Sequence, residues 1–280
     1  MFRRATTTVL SSPARLFSTS APVRRTAIVT GGSRGIGKAV SLRLARDGYA
    51  VTVNDVPANQ SLIDETVTEI KNQGGRAYGH AADVTSPEAV DDLVRASVTE
   101  LGPLSTMIAN AGICQVKSLL DVTPADFERL LAVNVGGVHN CFRAAARQMI
   151  EQGSPGKLIA AASVAAFRPF PGLGHYSTTK WAVRGMCHAW ATELAQHKIT
   201  VNAYAPGVVG TAMWDLIDEG IAQRMGLKKG EAFEGMRRNI MLGRMSVPED
   251  VAKLVGFLAS EDADYITAQT YIVDGGIQIS

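Results

Sequence analysis

The chain has 280 residues, 46% of them hydrophobic and 19% charged, with a formal net charge of +2, a composition able to bury a sizeable core. No run approaches the roughly 18 consecutive apolar residues of a membrane-spanning helix, which excludes that class of membrane protein. Three widely spaced cysteines (Cys114, Cys141, Cys187), with no CxxC and no Cys/His pairing, give no disulfide framework and no metal site.

Residues 1–25 differ from the rest. They hold five arginines (Arg3, Arg4, Arg15, Arg24, Arg25) and eight Ser/Thr, and the first acidic residue of the chain is Asp47. An Arg-rich, Ser-rich, acid-free start predicts a mitochondrial transit peptide, cleaved after about Phe17, with a disordered basic tail on a cytoplasmic protein as the alternative. Removing five of the 28 basic residues leaves 23 against 26 acidic ones, so the body is near −3. No basic surface for nucleic acid is then expected.

From Thr26 onward, short β-branched runs alternate with longer helical patterns in one domain, residues 26–280. Strands are predicted at Thr26–Thr30, Ala50–Asn54, Arg76–Ala81, Leu104–Ala109, Lys157–Ala162, Thr200–Ala205 and Thr270–Val273, with the clearest helical periodicity at Pro124–Ile150 and Tyr176–Gln196. The alternation predicts an α/β fold, a Rossmann-type doubly wound parallel sheet of about seven strands with helices on both faces. Ligands of such sheets bind beyond the carboxyl ends of the strands.

The first strand runs into TGGSRGIG, Thr30 to Gly37. Gly31, Gly35 and Gly37 let the backbone turn tightly and approach a pyrophosphate, and the following helix points its amide-rich end at the phosphates. Strand before and helix after make this a dinucleotide loop rather than a chance turn. The second strand ends at Asp55, 18 residues past Gly37. A carboxylate there accepts from the adenosine ribose hydroxyls and repels a 2′-phosphate, which predicts NAD rather than NADP. Arg34 keeps NADP open as the alternative, because a guanidinium in this loop could pair with that phosphate.

Tyr176 and Lys180 stand four apart, one turn from each other on a predicted helix. A nearby ammonium and the positive ring of an oxidised nicotinamide both favour the phenolate, so Tyr176 is expected to exchange a proton with a substrate oxygen as hydride moves. Ser163, thirteen residues upstream and just after a strand, can hold that oxygen. Asn134, within the preceding helix, is expected to hold water near Lys180. Taken singly, each of these would be an ordinary surface pair, turn or cap. Their ordered conjunction after successive strands sets them apart.

This set resembles the short-chain dehydrogenase/reductase family over essentially Arg25 to Ser280. TGGSRGIG is similar to its TGxxxGxG motif, Asp83 in AADVT to the residue at the adenine, and Asn110-Ala111-Gly112 to its NAG motif. Ala109 departs from the asparagine the family often has there. The resemblance implies that Asn134, Ser163, Tyr176 and Lys180 form the catalytic tetrad. It also implies that the cofactor lies against Gly31, Ser33, Arg34, Gly35, Ile36, Gly37, Asp55, Asp83, Val84, Asn110, Ala111, Gly112, Tyr176 and Lys180, and against Pro206, Gly207, Val209 and Thr211.

Within the family, ITVNAYAPGVVGTAMWDLID (Ile199 to Asp218), LGRMSVPEDVA (Leu242 to Ala252) and SEDADYITAQTYIVDGG (Ser260 to Gly276) resemble acetoin/diacetyl reductases, also called butanediol dehydrogenases. The last two segments also look similar to polyol dehydrogenases. The resemblance implies a small hydroxyketone, diketone or diol as substrate and a homotetramer, with the helices around Pro124–Ile150 and Tyr176–Gln196 at an interface. Residues 208–243, rich in Met213, Trp214, Met225, Phe233 and Met241, are expected to close over substrate or to pack as two short helices. Gln115, Phe167, Phe170, Met213 and Trp214 are the expected pocket residues, in a small apolar site suited to an uncharged substrate. The competing functions are polyol oxidation, reduction of a 3-oxoacyl thioester on an acidic carrier met by Arg168, Lys228 and Lys229, and, in a different class, a nucleotide-binding redox sensor without turnover.

Overall fold

A computed structural model of the chain describes residues 25–228 and 230–278. The predicted leader therefore lies outside the described residues except for Arg25, and Lys229 lies outside them too. Arg25 is tied to the body. Its carbonyl accepts from Ala50 N at 2.9 Å and its guanidinium lies 4.7 Å from the centroid of the Tyr49 ring.

Seven parallel strands, β1 (Thr26–Val29), β2 (Ala50–Asp55), β3 (Arg76–Ala81), β4 (Leu104–Ala109), β5 (Gly156–Ala161), β6 (Ile199–Pro206) and β7 (Thr270–Val273), form one sheet in the order β3-β2-β1-β4-β5-β6-β7. Each falls within one or two residues of its predicted span. The order reverses between β1 and β4, where Val29 pairs with Ile108. This is the switch point at which a doubly wound sheet opens a crevice at its carboxyl edge.

Both faces of the sheet are covered, which is why the central strands carry apolar residues on both faces. On one face Ala27, Val29, Val51, Val53, Ile108, Ile159 and Tyr204 pack against α1 (Gly35–Arg46), α2 (Gln60–Asn72) and α9 (Pro248–Ala259). On the other, Ile28, Leu104, Met107, Leu158 and Val201 meet α3 (Pro87–Leu101), α5 (Gly137–Glu151) and α6 (Gly174–Leu194). Ser86 caps α3 by accepting from Ala89 N, with Pro87 at the first helical position, where its missing N–H costs nothing.

The long predicted helix Pro124–Ile150 is one rod in three parts. α4 (Pro124–Leu131) starts at a capping box between Thr123 and Asp126. A π-helical turn over Ala132–Gly136 follows, and α5 continues from it. Such a turn inserts a residue into the helical repeat. It carries Asn134, whose side chain is fully buried. Two further helices, α7 (Ala212–Met225) and α8 (Glu231–Arg237), stand between β6 and α9.

Candidate active site

At the crevice the glycine loop is held by close approach. Gly31 and Gly35 adopt φ of +60° and +53°, the left-handed region that glycine enters without penalty. A Cβ on Gly37 would overlap the Gly31 carbonyl oxygen and stand 2.6 Å from Asn110 Nδ2. Thr211 lies across the loop, its Cγ2 3.4 Å from where a Gly35 Cβ would be. The start of α1 thus meets a surface of backbone amides with no side chain between, a cradle of the kind a pyrophosphate needs.

Asp55 ends β2 beside this loop. Its Oδ2 accepts from Ser33 Oγ at 2.5 Å, and its Oδ1 accepts from Val56 N and Asn59 Nδ2, both at 2.9 Å. Three donors on a buried carboxylate fix its orientation and leave acceptor capacity for a ribose hydroxyl. Arg34 is exposed at the outer side of the loop. Asp83 is exposed after β3 and accepts from Thr85 N and Oγ1, while buried Val84 accepts through its carbonyl from Asn140 Nδ2 at 2.9 Å. Ile36 packs against the core on the α1 face.

Asn110 joins the two halves of the sheet. Its Nδ2 donates to the carbonyls of Thr30 and Gly31 at 2.9 and 3.1 Å, and its Oδ1 accepts from Tyr204 Oη at 2.8 Å. The amides of Asn110 and Ala111 both donate to Thr30 Oγ1. Sequence reasoning missed Tyr204 and Thr30 as parts of the site.

The four tetrad candidates converge above the ends of β4 and β5. Tyr176 and Lys180 are 8% and 4% exposed on one face of α6, with Lys180 Nζ 5.6 Å from the centre of the tyrosine ring and donating to Ala161 O at 2.8 Å. Ser163 accepts from Ala165 N at 3.1 Å, and its hydroxyl lies beside the Tyr176 phenol. Burial pushes the phenol above its ordinary value, Cys114 adds to the rise, and the neighbouring Ser163 hydroxyl opposes it. Burial also pulls the Lys180 ammonium down to about 8. Burial is thus the largest influence on both groups in this site.

Asn134 is tied to two elements beside Lys180. Its Oδ1 accepts from Ile113 N and its Nδ2 donates to Ile113 O, both at 2.9 Å, and also to Thr179 Oγ1 at 3.1 Å. The carboxamide thus joins the loop after β4 to α6 next to Lys180. A Cβ on Gly112 would stand 3.3 Å from Asn134 Oδ1 and 3.6 Å from Lys180 Nζ, so the missing side chain there leaves the two groups a common space.

Tyr176 forms one wall of an apolar cluster with Leu130, Ala165, Leu173 and Ile217, against which Ile113, Cys114, Val116, Phe170, Met213 and Trp214 pack. The structure brings Phe170, Met213 and Trp214 to the tyrosine. Phe167 lies in a different cluster. Its ring lies 4.1 Å below the Arg184 guanidinium and packs on the α5–α6 core, because α6 offers a cation to its face. Gln115 is engaged by His175 and Asp126. Of the methionines expected over the pocket, Met225 and Met241 are exposed at 66% and 69%.

Pro206 closes β6, and Gly207 N donates to Val273 O at 3.1 Å where a Cβ would strike Asp274. Val209 pairs with Ser246 in an isolated bridge. α7 and α8 form one unit through buried Asp218, which accepts from Gly230 N at 2.6 Å and Phe233 N at 2.7 Å. Among the described residues no group of three or more His, Cys, Asp or Glu could hold a metal, and no helix is long and apolar enough to cross a membrane.

The short chain dehydrogenase family matches residues 25–222. The chain is 46% identical over 253 residues to an L-2,3-butanediol dehydrogenase of Corynebacterium glutamicum, covering 90% of this chain and 98% of that protein. It is 43% identical over 254 residues to an (S)-acetoin-forming diacetyl reductase of Staphylococcus epidermidis, with the same two coverages. Among solved structures, an acetoin dehydrogenase from Enterobacter cloacae superposes with a TM-score of 0.79 at 32% identity, covering 91% of this chain and 96% of that one. A dehydrogenase/reductase from Sinorhizobium meliloti gives 0.82 at 34% identity, with 91% and 95% covered. The fold, the crevice at its switch point and these likenesses agree, and the chain belongs to the short chain dehydrogenase family, oxidoreductases that use a nicotinamide cofactor.

Proposed function

We propose that the chain interconverts a small secondary alcohol and its ketone, with diacetyl, acetoin and 2,3-butanediol as the preferred substrates, and that NAD(H) is its cofactor. The observation that carries the reading is a buried tyrosine beside a serine, one turn from a buried lysine and walled by an apolar cluster. The names of the relatives support the substrate class.

The residues fit the cofactor. The side-chain-free cradle at Gly31, Gly35 and Gly37 suits the pyrophosphate, and the oriented Asp55 carboxylate suits an unphosphorylated ribose. When bound, the nicotinamide supplies or accepts the hydride and, oxidised, brings a positive charge that favours the phenolate. The protein's part is the proton. In reduction, Ser163 donates a hydrogen bond to the carbonyl oxygen while Tyr176, its phenol kept protonated by burial, delivers a proton to that oxygen. In oxidation the same two groups hold the hydroxyl and take its proton. Lys180 places a cation beneath the ring, and Asn134 fixes the loop that faces it. Phe170, Met213 and Trp214 exclude water from the reacting carbon.

Residues 1–25 serve in this reading as a mitochondrial leader, supported by their arginines and the absence of acids before Asp47. Import into isolated mitochondria followed by N-terminal sequencing checks it. A native chain starting at Met1 would leave the cytoplasmic alternative. A homotetramer is supported by Trp181 and Ile150, 47% and 41% exposed on α6 and α5, and sedimentation tests it.

The deciding experiment is a panel of diacetyl, acetoin, butanediol isomers, sorbitol and an acetoacetyl thioester with NADH/NAD and NADPH/NADP, on wild type and Tyr176→Phe. We expect turnover of diketone or hydroxyketone with NADH, lost by about a thousandfold in the variant. Preference for sorbitol or the thioester would replace the substrate. Tight NADH binding without any turnover would make the protein a sensor.

A further inference from the structure

A chain of polar groups runs from the surface to the residue beside Tyr176. Lys117 Nζ donates to Asp126 Oδ2 at 2.7 Å, Gln115 Nε2 donates to Asp126 Oδ1 at 2.9 Å, and Gln115 Oε1 stands 3.1 Å from His175 Nε2. An ionised Asp126 can only accept, so the amide nitrogen of Gln115 must face it. The carbonyl end is then an acceptor, and His175 Nε2 must carry a hydrogen. His175 is 0% exposed and its Nδ1 is buried without a partner. A second proton on that nitrogen would leave a charged donor unpaired in the interior, so the ring is held neutral in the Nε2–H tautomer. Burial lowers its pKa accordingly, with Asp126 opposing and Lys117 adding to the shift.

The position of the link gives it a role. The loop after β4 is clamped at Ile113 by Asn134 and at Lys117 by Gly172, whose carbonyl accepts from Lys117 N at 2.8 Å. Between the clamps, Cys114 and Val116 pack beside Tyr176. Gln115 is the residue between them, and it is bonded to the neighbour of that tyrosine on α6.

We propose that Gln115 and His175 are positioning residues, a link that locks the pocket wall of the β4–α4 loop to the helical turn carrying Tyr176 and so fixes the substrate oxygen against the phenol. Gln115 therefore acts through the loop and not by touching substrate, in contrast to the pocket role its sequence position suggested. The inference rests on the reading of Tyr176 as the proton donor.

Cys114 offers a reporter that needs no turnover, because Cys141 and Cys187, the remaining cysteines of the chain, are buried. In Gln115→Met and His175→Phe, iodoacetamide labelling of Cys114, read by peptide mass spectrometry, should accelerate by about tenfold, the yield of one lost hydrogen bond. Cys141 and Cys187 should stay unlabelled. KM for diacetyl should rise by a similar factor with NADH affinity unchanged, the double variant should be no worse than either single one, and His175→Gln, whose amide can still donate, should restore both readouts. Unchanged labelling and KM in both single variants, or effects that multiply in the double variant, would overturn the link. Should a variant label Cys141 and so prove unfolded, imidazole 15N shifts of the wild-type protein decide. A protonated Nε2 with bare Nδ1 supports the proposal, and the other tautomer or an imidazolium refutes it. Wild-type protein that turns over no ketone would remove the reaction reading while labelling and tautomer still report on the link.

Discussion

Ser33 donates to Asp55 across 2.5 Å, tying the glycine loop to the end of β2. The serine shares the negative charge with Asn59 and the Val56 amide and holds the carboxylate in one orientation. A 2′-phosphate placed there would face a fixed like charge.

Asp55→Ala should therefore lower kcat/KM with NADH and raise it with NADPH, moving their ratio by about a hundredfold, equivalent to about 2.7 kcal/mol. Steady-state kinetics with both cofactors check this. Arg34→Ala in the same background should take back part of the NADPH gain, since the exposed guanidinium is then the nearest partner for the phosphate.

Lys180 sets a pH dependence of stability. Its folded-state pKa of about 8 lies below the ordinary value of 10.5. Between these values the unfolded chain holds a proton that the folded one lacks, so stability rises with pH; below about 8 both forms are protonated and the burial penalty is constant. Tyr176, Cys141 and Cys187 have raised values and act with the opposite sign above their ordinary ones. They are common to wild type and Lys180→Met, and Cys114, whose thiol interacts with Lys180, is replaced by alanine in both. The stability difference, wild type minus variant, should thus grow by roughly 3 kcal/mol from pH 8 to 10.5 in urea titrations.

Asn134→Ala should cost about 2 kcal/mol in urea unfolding, because Ile113 N and O lose buried partners. It should also lower kcat well below wild type while NADH affinity changes little, since the clamp lies on the substrate side. Stopped-flow binding and turnover on one preparation separate the two effects.

Gly37→Ala should abolish NADH binding or unfold the loop, because the added methyl would occupy the Gly31 carbonyl. Overpacking of this kind costs about 1–3 kcal/mol. Calorimetric titration with NADH gives the first outcome and thermal melting the second. Gly48→Ala is the contrast: nothing lies within 4 Å of its Cβ, and the cost is that of φ +88° alone.

Much of this architecture is legible in the residues themselves. Apolar strand runs with turn signals between them placed all seven strands to within two residues, since a doubly covered parallel sheet leaves each strand little choice of composition. The glycine loop and Asp55 were legible because their chemistry requires particular residue types. The use of Asn134 was not. Its partner is the backbone of Ile113, and main-chain partners leave no mark in side-chain spelling. The packing of Phe167 was not legible for a related reason. A position shortly after β5 points toward the pocket, while the attraction to Arg184 depends on how α6 packs. His175 carries no motif, and only its buried contact with Gln115 gives it meaning.

The π-helical turn at Ala132–Gly136 changes the phase of one continuous rod. Leu130, before it, belongs to the cluster around Tyr176, while Val138, Phe142 and Met149, after it, belong to the main core beneath the sheet. A single helix therefore answers to two masters, and the joint between them is one residue wide. Variation upstream of the joint can reshape what the enzyme accepts without disturbing what keeps it folded, and a one-residue deletion there would set the two halves at odds.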